Sequence, residues 1–171
     1  MGPVSASIEI DVPRQRIFEE ICDIARRPSF TDHFISDVHL TRIDPVGVGA
    51  GARFRFKLPL RGIWMDTTIA EAEAPFRIVE RGRGGRVNRI PSTTVWEILE
   101  GPGSLNTVRL SFWTETSHVD RALDALAGAS IWQERAWREA LRRLRDRLED
   151  GASPEAELAV AGGNAHATGI P

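Results

Sequence analysis

Residues 4–34 read VSASIEIDVPRQRIFEEICDIARRPSFTDHF. Val4, Ala6, Ile8, Ile10 and Val12 fall on one face of an extended chain, which predicts a half-buried strand. Asp11-Val12-Pro13 then opens a helix, since a proline near the first turn gives up an N–H that would have no partner there. Ile17, Phe18, Ile21, Ile24 and Ala25 recur at helical spacing as far as Arg26, and Pro28 breaks the helix. A second short helical piece follows, roughly Ser29 to Phe34.

From residue 36 the period changes to two. Val38, Leu40 and Arg42 oppose His39, Thr41 and Ile43; Phe54, Phe56 and Leu58 alternate with Arg53, Arg55 and Lys57. Further strands are predicted over Ile63–Glu73, Arg77–Arg81, Arg86–Glu100 and Leu105–Thr116, separated by Ala74-Pro75, Gly82–Gly85 and Gly101-Pro102-Gly103. Connections this short join antiparallel neighbours. From about Val119 to Glu149 the chain holds no proline and one glycine, Gly128, and predicts a helix of roughly 45 Å. Leu123, Leu126, Ser130, Trp137, Leu141, Leu144 and Leu148 form one stripe on it, with arginines over much of the rest. Residues 1–150 are therefore expected to make one domain, and residues 151–171, rich in Gly and Ala, a loose tail.

Charge narrows the function classes. The tail takes two of the 24 acids, Glu155 and Glu157, which leaves 22 acids against 22 bases in the body. That balance argues against nucleic acid as a partner. No apolar run is long enough to span a membrane, and the first residues carry no secretory pattern, so a cytoplasmic address is expected. Cys22 is the single cysteine and the four histidines show no ligand spacing, so neither a disulfide, a metal nor another cofactor is expected.

The order of strand, two short helices, a run of antiparallel strands and one long helix resembles the helix-grip architecture of the SRPBCC, or START and birch-pollen-allergen-like, superfamily. The local text agrees. Ile8-Glu9-Ile10-Asp11-Val12-Pro13, Ile17-Phe18, Cys22-Asp23-Ile24 and Pro28 look like its opening; Trp64, Trp96 and Thr107-Val108 resemble its bacterial polyketide cyclase/dehydrase-like branch. The resemblance covers about residues 4–149. It implies an α+β fold with a curved antiparallel sheet of about seven strands wrapped round the long helix. It also implies a cavity between them for a small hydrophobic ligand of polyketide, lipid or isoprenoid kind.

The resemblance further implies that Trp64 points into that cavity. Period two then carries Asp66 and Thr68 inward, and puts Trp96 on one face with Thr94 and Ile98. Ser130, Glu134 and Trp137 lie on the helix side continuous with Leu141 and Leu144. Phe30 and Phe34 are expected near an entrance, and Phe54 and Phe56 complete the aromatic candidates. A carboxylate held inward would be desolvated and able to move protons, so Asp66 and Glu134 are the acid candidates. His33, beside Asp32, is the histidine candidate. Each has a plainer alternative: for Asp66 an ion pair with an arginine such as Arg55, for Glu134 a surface pair with Arg138 one helical step on.

The superfamily's aromatic-polyketide cyclases use an arginine one or two inward steps past the strand tryptophan, where this chain has Thr68 and Ala70. Ligand binding is thus the first expectation. An enzyme of cyclase or dehydratase type, using Asp66, Glu134 or His33, is the alternative. The arginine-rich stretch 81–89 (RGRGGRVNR) reads as an exposed hairpin tip, and Trp113 as an outward residue able to form a homodimer contact.

Overall fold

The structure is a computed structural model and describes residues 4–58, 62–115 and 129–151. The opening alternation becomes strand β1 (Val4–Ile10), with Val4, Ala6 and Ile10 buried and Ser5, Ser7 and Glu9 exposed. Helix α1 (Arg14–Cys22) starts directly after Pro13. It stops four residues earlier than the spacing suggests, because Asp23 takes an extended conformation and its side chain accepts from the Ala25 N–H. That cap starts a single 3₁₀ turn, Ile24–Arg26, and Pro28 then opens a second helix, α2 (Pro28–Thr31), rather than only closing the first.

Six more strands follow: β2 (Ile35–Leu40), β3 (Gly51–Lys57), β4 (Gly62–Glu73), β5 (Arg77–Gly84), β6 (Ile90–Glu100) and β7 (Asn106–Thr114). They form one antiparallel sheet in the order β1-β7-β6-β5-β4-β3-β2. The chain thus meanders from β2 to β7 and closes by laying β7 beside β1. Several strand ends differ from the sequence expectation, and β5 runs on past Arg81 to Gly84. β2 ends at Leu40, leaving Arg42 and Ile43 in an exposed loop. β6 starts at Ile90, because Gly85, Val87 and Asn88 adopt positive φ and a 3₁₀ turn occupies Arg86–Asn88. The hairpin tip moves accordingly from 82–85 to 85–89, and Gly84 pairs with Ile90.

Helix α3 (Ala129–Glu149) packs on the sheet with Ala136, Trp137, Ala140, Leu141, Leu144 and Leu148 buried. This is the expected stripe from Trp137 onward; residues 119–128 of the expected helix and the tail from 152 lie outside the described residues. Each of the three leucines contributes about 1.5–3 kcal/mol of burial. Phe34, Phe56, Phe112, Trp96 and Trp137 make an aromatic core between α3 and the sheet, with Phe34 and Trp96 edge-on to Trp137 at 4.8 and 5.9 Å.

Ion pairs fix how α3 sits. Buried Glu20 of α1 accepts from Arg147 at 2.6 Å and from Arg26 at 3.2 Å. Arg143 reaches Asp32, just after α2, at 2.6 Å, and Glu149 accepts the Asp11 N–H at 2.9 Å. The second half of α3 is therefore tied at three places to the segment between β1 and β2, and the space left open lies between α2, the sheet and Trp137.

Candidate functional site

That space is a cavity of about 50 Å³. Its apolar wall comes from Ile24, Ile35, Val38, Ala52, Phe54, Phe56, Met65, Trp96, Phe112 and Trp137; its polar wall from Arg27, Thr31, Thr67, Glu80, Ser92 and Thr94. One volume measure sets the scale: a water needs about 10–15 Å³, whereas sites for drug-sized molecules run to roughly 300–1,000 Å³.

The polar wall is built on a buried charge pair. The Glu80 side chain is 4% exposed and that of Arg27 12%. Arg27 Nη1 donates to Glu80 Oε1 at 2.7 Å, and the indole Nε1 of Trp96 donates to the same oxygen at 2.6 Å. Thr67 Oγ1 donates to the other carboxylate oxygen at 3.1 Å. Arg27 Nε and Nη2 both donate to the carbonyl of Ile21, in the last turn of α1, at 2.9 and 2.8 Å, and the guanidinium lies 5.7 Å from the Trp96 ring centre. The cation thus satisfies a helix C-terminus and an acid at once. A buried carboxylate with three donors, one of them charged, avoids the desolvation cost an isolated charge would carry.

Local sequence explains the placement. On β5, Ile78 and Glu80 share the inward phase, and the next inward position is Gly82. A Cβ there would stand 2.5 Å from the Asp66 carbonyl oxygen and 2.6 Å from Ser92 Oγ, so glycine keeps the strands close and the floor of the site clear. Thr94 sits opposite Glu80 in the β5–β6 register, and Ser92 opposite Gly82.

The expected site residues divide into three groups. Phe54, Phe56, Trp96 and Trp137 line the cavity. Phe30, Phe34 and Ile98 are fully buried core residues that do not border it, so the two phenylalanines hold no entrance. The others lie elsewhere. Trp64, Asp66 and Thr68 project from the opposite face of the sheet, and Trp64 is 39% exposed; the inward phase of β4 belongs to Met65, Thr67 and Ile69. Ser130 is exposed, and Glu134 pairs with Arg138 on the surface of α3. His33 is half-buried behind the cavity, its Nε2 3.0 Å from the Ala136 carbonyl. Burial foremost pulls the His33 pKa below the ordinary histidine value, with Arg143 acting the same way against the carbonyl, Glu139 and Asp32. None of the three acid–base candidates touches the cavity. Arg27 and Glu80, which do, escaped the sequence reading, although Glu80 carries a signal: it shares the phase of Ile78.

On the outer face Asp66 accepts from Asn88 and lies 3.8 Å from Arg53, which stacks 5.3 Å from the Trp64 ring centre. Among the described residues no group of acids, histidines and cysteine is placed to hold a metal ion, and no helix is long and apolar enough to cross a membrane.

No family model and no curated protein matches the sequence. Solved structures do match the fold. The KanY protein is 19% identical, with a TM-score of 0.71 over 87% of this chain and 99% of KanY. A START superfamily protein from Mycobacterium smegmatis is 12% identical, with a TM-score of 0.61 over 88% of this chain and 99% of its own. DynU16, described as a putative protein in the dynemicin biosynthetic locus, is 17% identical with a TM-score of 0.59; the match covers 88% of this chain and 48% of DynU16. The fold of this chain is the START-like helix grip, a seven-stranded antiparallel sheet curved round helix α3.

Proposed function

We propose that the protein binds a small, largely apolar molecule between the sheet and α3, with the polar end of that molecule at the Arg27–Glu80 wall. The observation that carries this is a buried ion pair, held by Trp96 and Thr67, on the polar wall of a largely apolar cavity. A purely structural core gains little from such a pair, which a well-packed apolar set would often match or exceed in stability. A binding site gains a fixed polar feature that orients what enters. The START-like architecture of the structural neighbours supports the same use of this space.

At about 50 Å³ the space takes only a few atoms as it stands. A larger ligand enters by parting the walls, for which unbranched Met65 is suited. Among the described residues Glu80 is the one carboxylate on the wall. Three donors hold it in place as an acceptor.

Native mass spectrometry of gently purified protein, followed by extraction, tests the proposal alongside Ala52→Leu, which fills the cavity from β3, and Trp64→Ala on the outer face. An apolar molecule carried by the parent and by Trp64→Ala but lost from folded Ala52→Leu supports it. Equal loading of the parent and both variants places binding elsewhere. If nothing co-purifies, equilibrium dialysis against naphthalene-sized probes makes the same comparison.

A further inference from the structure

Buried polar atoms in folded proteins nearly always find a partner, and the exceptions point to something absent. Among the described residues four buried side-chain atoms have none: His33 Nδ1, Gln133 Oε1, Trp137 Nε1 and Arg147 Nη1. Trp137 alone of these residues lines the cavity. Trp137 is 6% exposed, so its N–H is shielded from bulk solvent and borders the cavity wall. The indole can only donate. None of the wall's acceptors takes it: Glu80 is held by Arg27, Trp96 and Thr67, and the Trp137 N–H reaches no acceptor among the described residues.

We propose that the Trp137 indole N–H is the hydrogen-bond donor to a carbonyl oxygen on the ligand, so that the ligands of this site are apolar ketones or other carbonyl compounds rather than plain hydrocarbons. This rests on the ligand-binding function proposed above. The ring itself supplies apolar contact, packed edge-on against Phe34 and Trp96, and the N–H adds direction. A carbonyl is the fitting acceptor because it is strong, uncharged and needs no donor from the wall. A hydrocarbon leaves the buried N–H unpaired, and a carboxylate would bring a charge close to Glu80. The selectivity follows from the penalty on an unmade buried bond, which discriminates more sharply than a missing apolar contact.

Equilibrium dialysis of 2-acetylnaphthalene against 2-isopropenylnaphthalene, which replaces C=O by C=CH2 at nearly the same shape, measures that selectivity. The parent is expected to bind the ketone about tenfold more tightly, and Trp137→Phe to lose the preference while keeping its affinity for the alkene within about threefold. Because Trp137→Phe also alters the core, the parent labelled with 15N at its indoles gives a second readout. Its Trp137 N–H resonance moves downfield with the ketone and stays with the alkene. Equal binding of the two probes with an unmoved Trp137 resonance overturns the carbonyl assignment and leaves the binding site standing. Failure of both probes to bind overturns the ligand-binding function and this assignment with it.

Discussion

Two groupings of an arginine, a carboxylate and a tryptophan lie on opposite faces of the sheet. Inside, Arg27, Glu80 and Trp96 gather with 2.7 Å between the charges and side-chain exposures of 12% and 4%. Outside, Arg53, Asp66 and Trp64 gather with 3.8 Å between the charges and exposures of 52% and 37%. Each arginine lies 5–6 Å from the centre of its tryptophan ring. The chemistry is alike and the solvent is not. In water the outer charges keep their hydration and their attraction is weak. In the interior each charge depends on its partners, and every remaining donor or acceptor must be satisfied.

The largest expected effect is therefore Glu80→Ala. It leaves Arg27 buried without its acid and Trp96 and Thr67 without their acceptor, and should destabilise the protein by about 3–5 kcal/mol in urea unfolding. The double change Arg27→Met with Glu80→Leu should cost much less than either Arg27→Met or Glu80→Leu alone, because it removes both charges together. Additive losses would mean that the pair is not coupled.

Trp96→Phe comes next. It keeps the ring contact with Trp137 but deletes the N–H that reaches Glu80, and a lost bond to a charged acceptor costs about 1.5–3 kcal/mol. The same change at Trp64, whose surroundings are wet, should fall within about 0.5 kcal/mol. Similar losses at the two sites would erase the distinction between the faces.

This contrast also shows where the sequence was informative. Element order and the stripe Trp137, Leu141, Leu144 and Leu148 follow from periodicity alone, because burying one helix face needs apolar residues at fixed spacing. The phase of β4 was equally readable. Ile63, Met65, Thr67 and Ile69 are on balance the more apolar alternate set, and they point inward; expecting Trp64 inward on resemblance turned Asp66 and Thr68 to the wrong side. A single step of register exchanges every side chain between faces, so one misplaced tryptophan took a proposed acid with it. The Arg27–Glu80 contact was not legible in the same way. It joins residues 53 positions apart, one of them in the short stretch between a 3₁₀ turn and α2, and only the fold brings them together.

A smaller effect separates the core behind the cavity from both groupings. With Nε2 facing the Ala136 carbonyl, the neutral His33 ring donates from Nε2, and its other nitrogen has no partner among the described residues, so the fold favours the uncharged ring. Its folded pKa lies below its unfolded value of about 6.5. The stability it provides is present above that value and lost as pH falls through the folded pKa. Between pH 7.5 and 5.5 the parent's urea midpoint should fall further than that of His33→Gln, which keeps a donor for Ala136 and cannot be charged. Parallel curves would show that burial of His33 does not govern this range.

The smallest expected effect lies outside. Asp66→Ala removes the Arg53 pair and the bond from Asn88, yet the carboxylate is more than one-third exposed and the pair spans 3.8 Å. Exposed pairs of this kind contribute about 0–1 kcal/mol, screened further by salt. The variant should unfold within about 1 kcal/mol of the parent, converge on it as salt rises, and bind the same cavity ligand with unchanged affinity. A loss of ligand affinity without loss of stability would connect the outer face to the cavity, and strand β4 offers a direct route. Thr67, which holds Glu80 from inside, is the next residue after Asp66 and shares its backbone. An unchanged affinity means that strand β4 transmits nothing between its two faces.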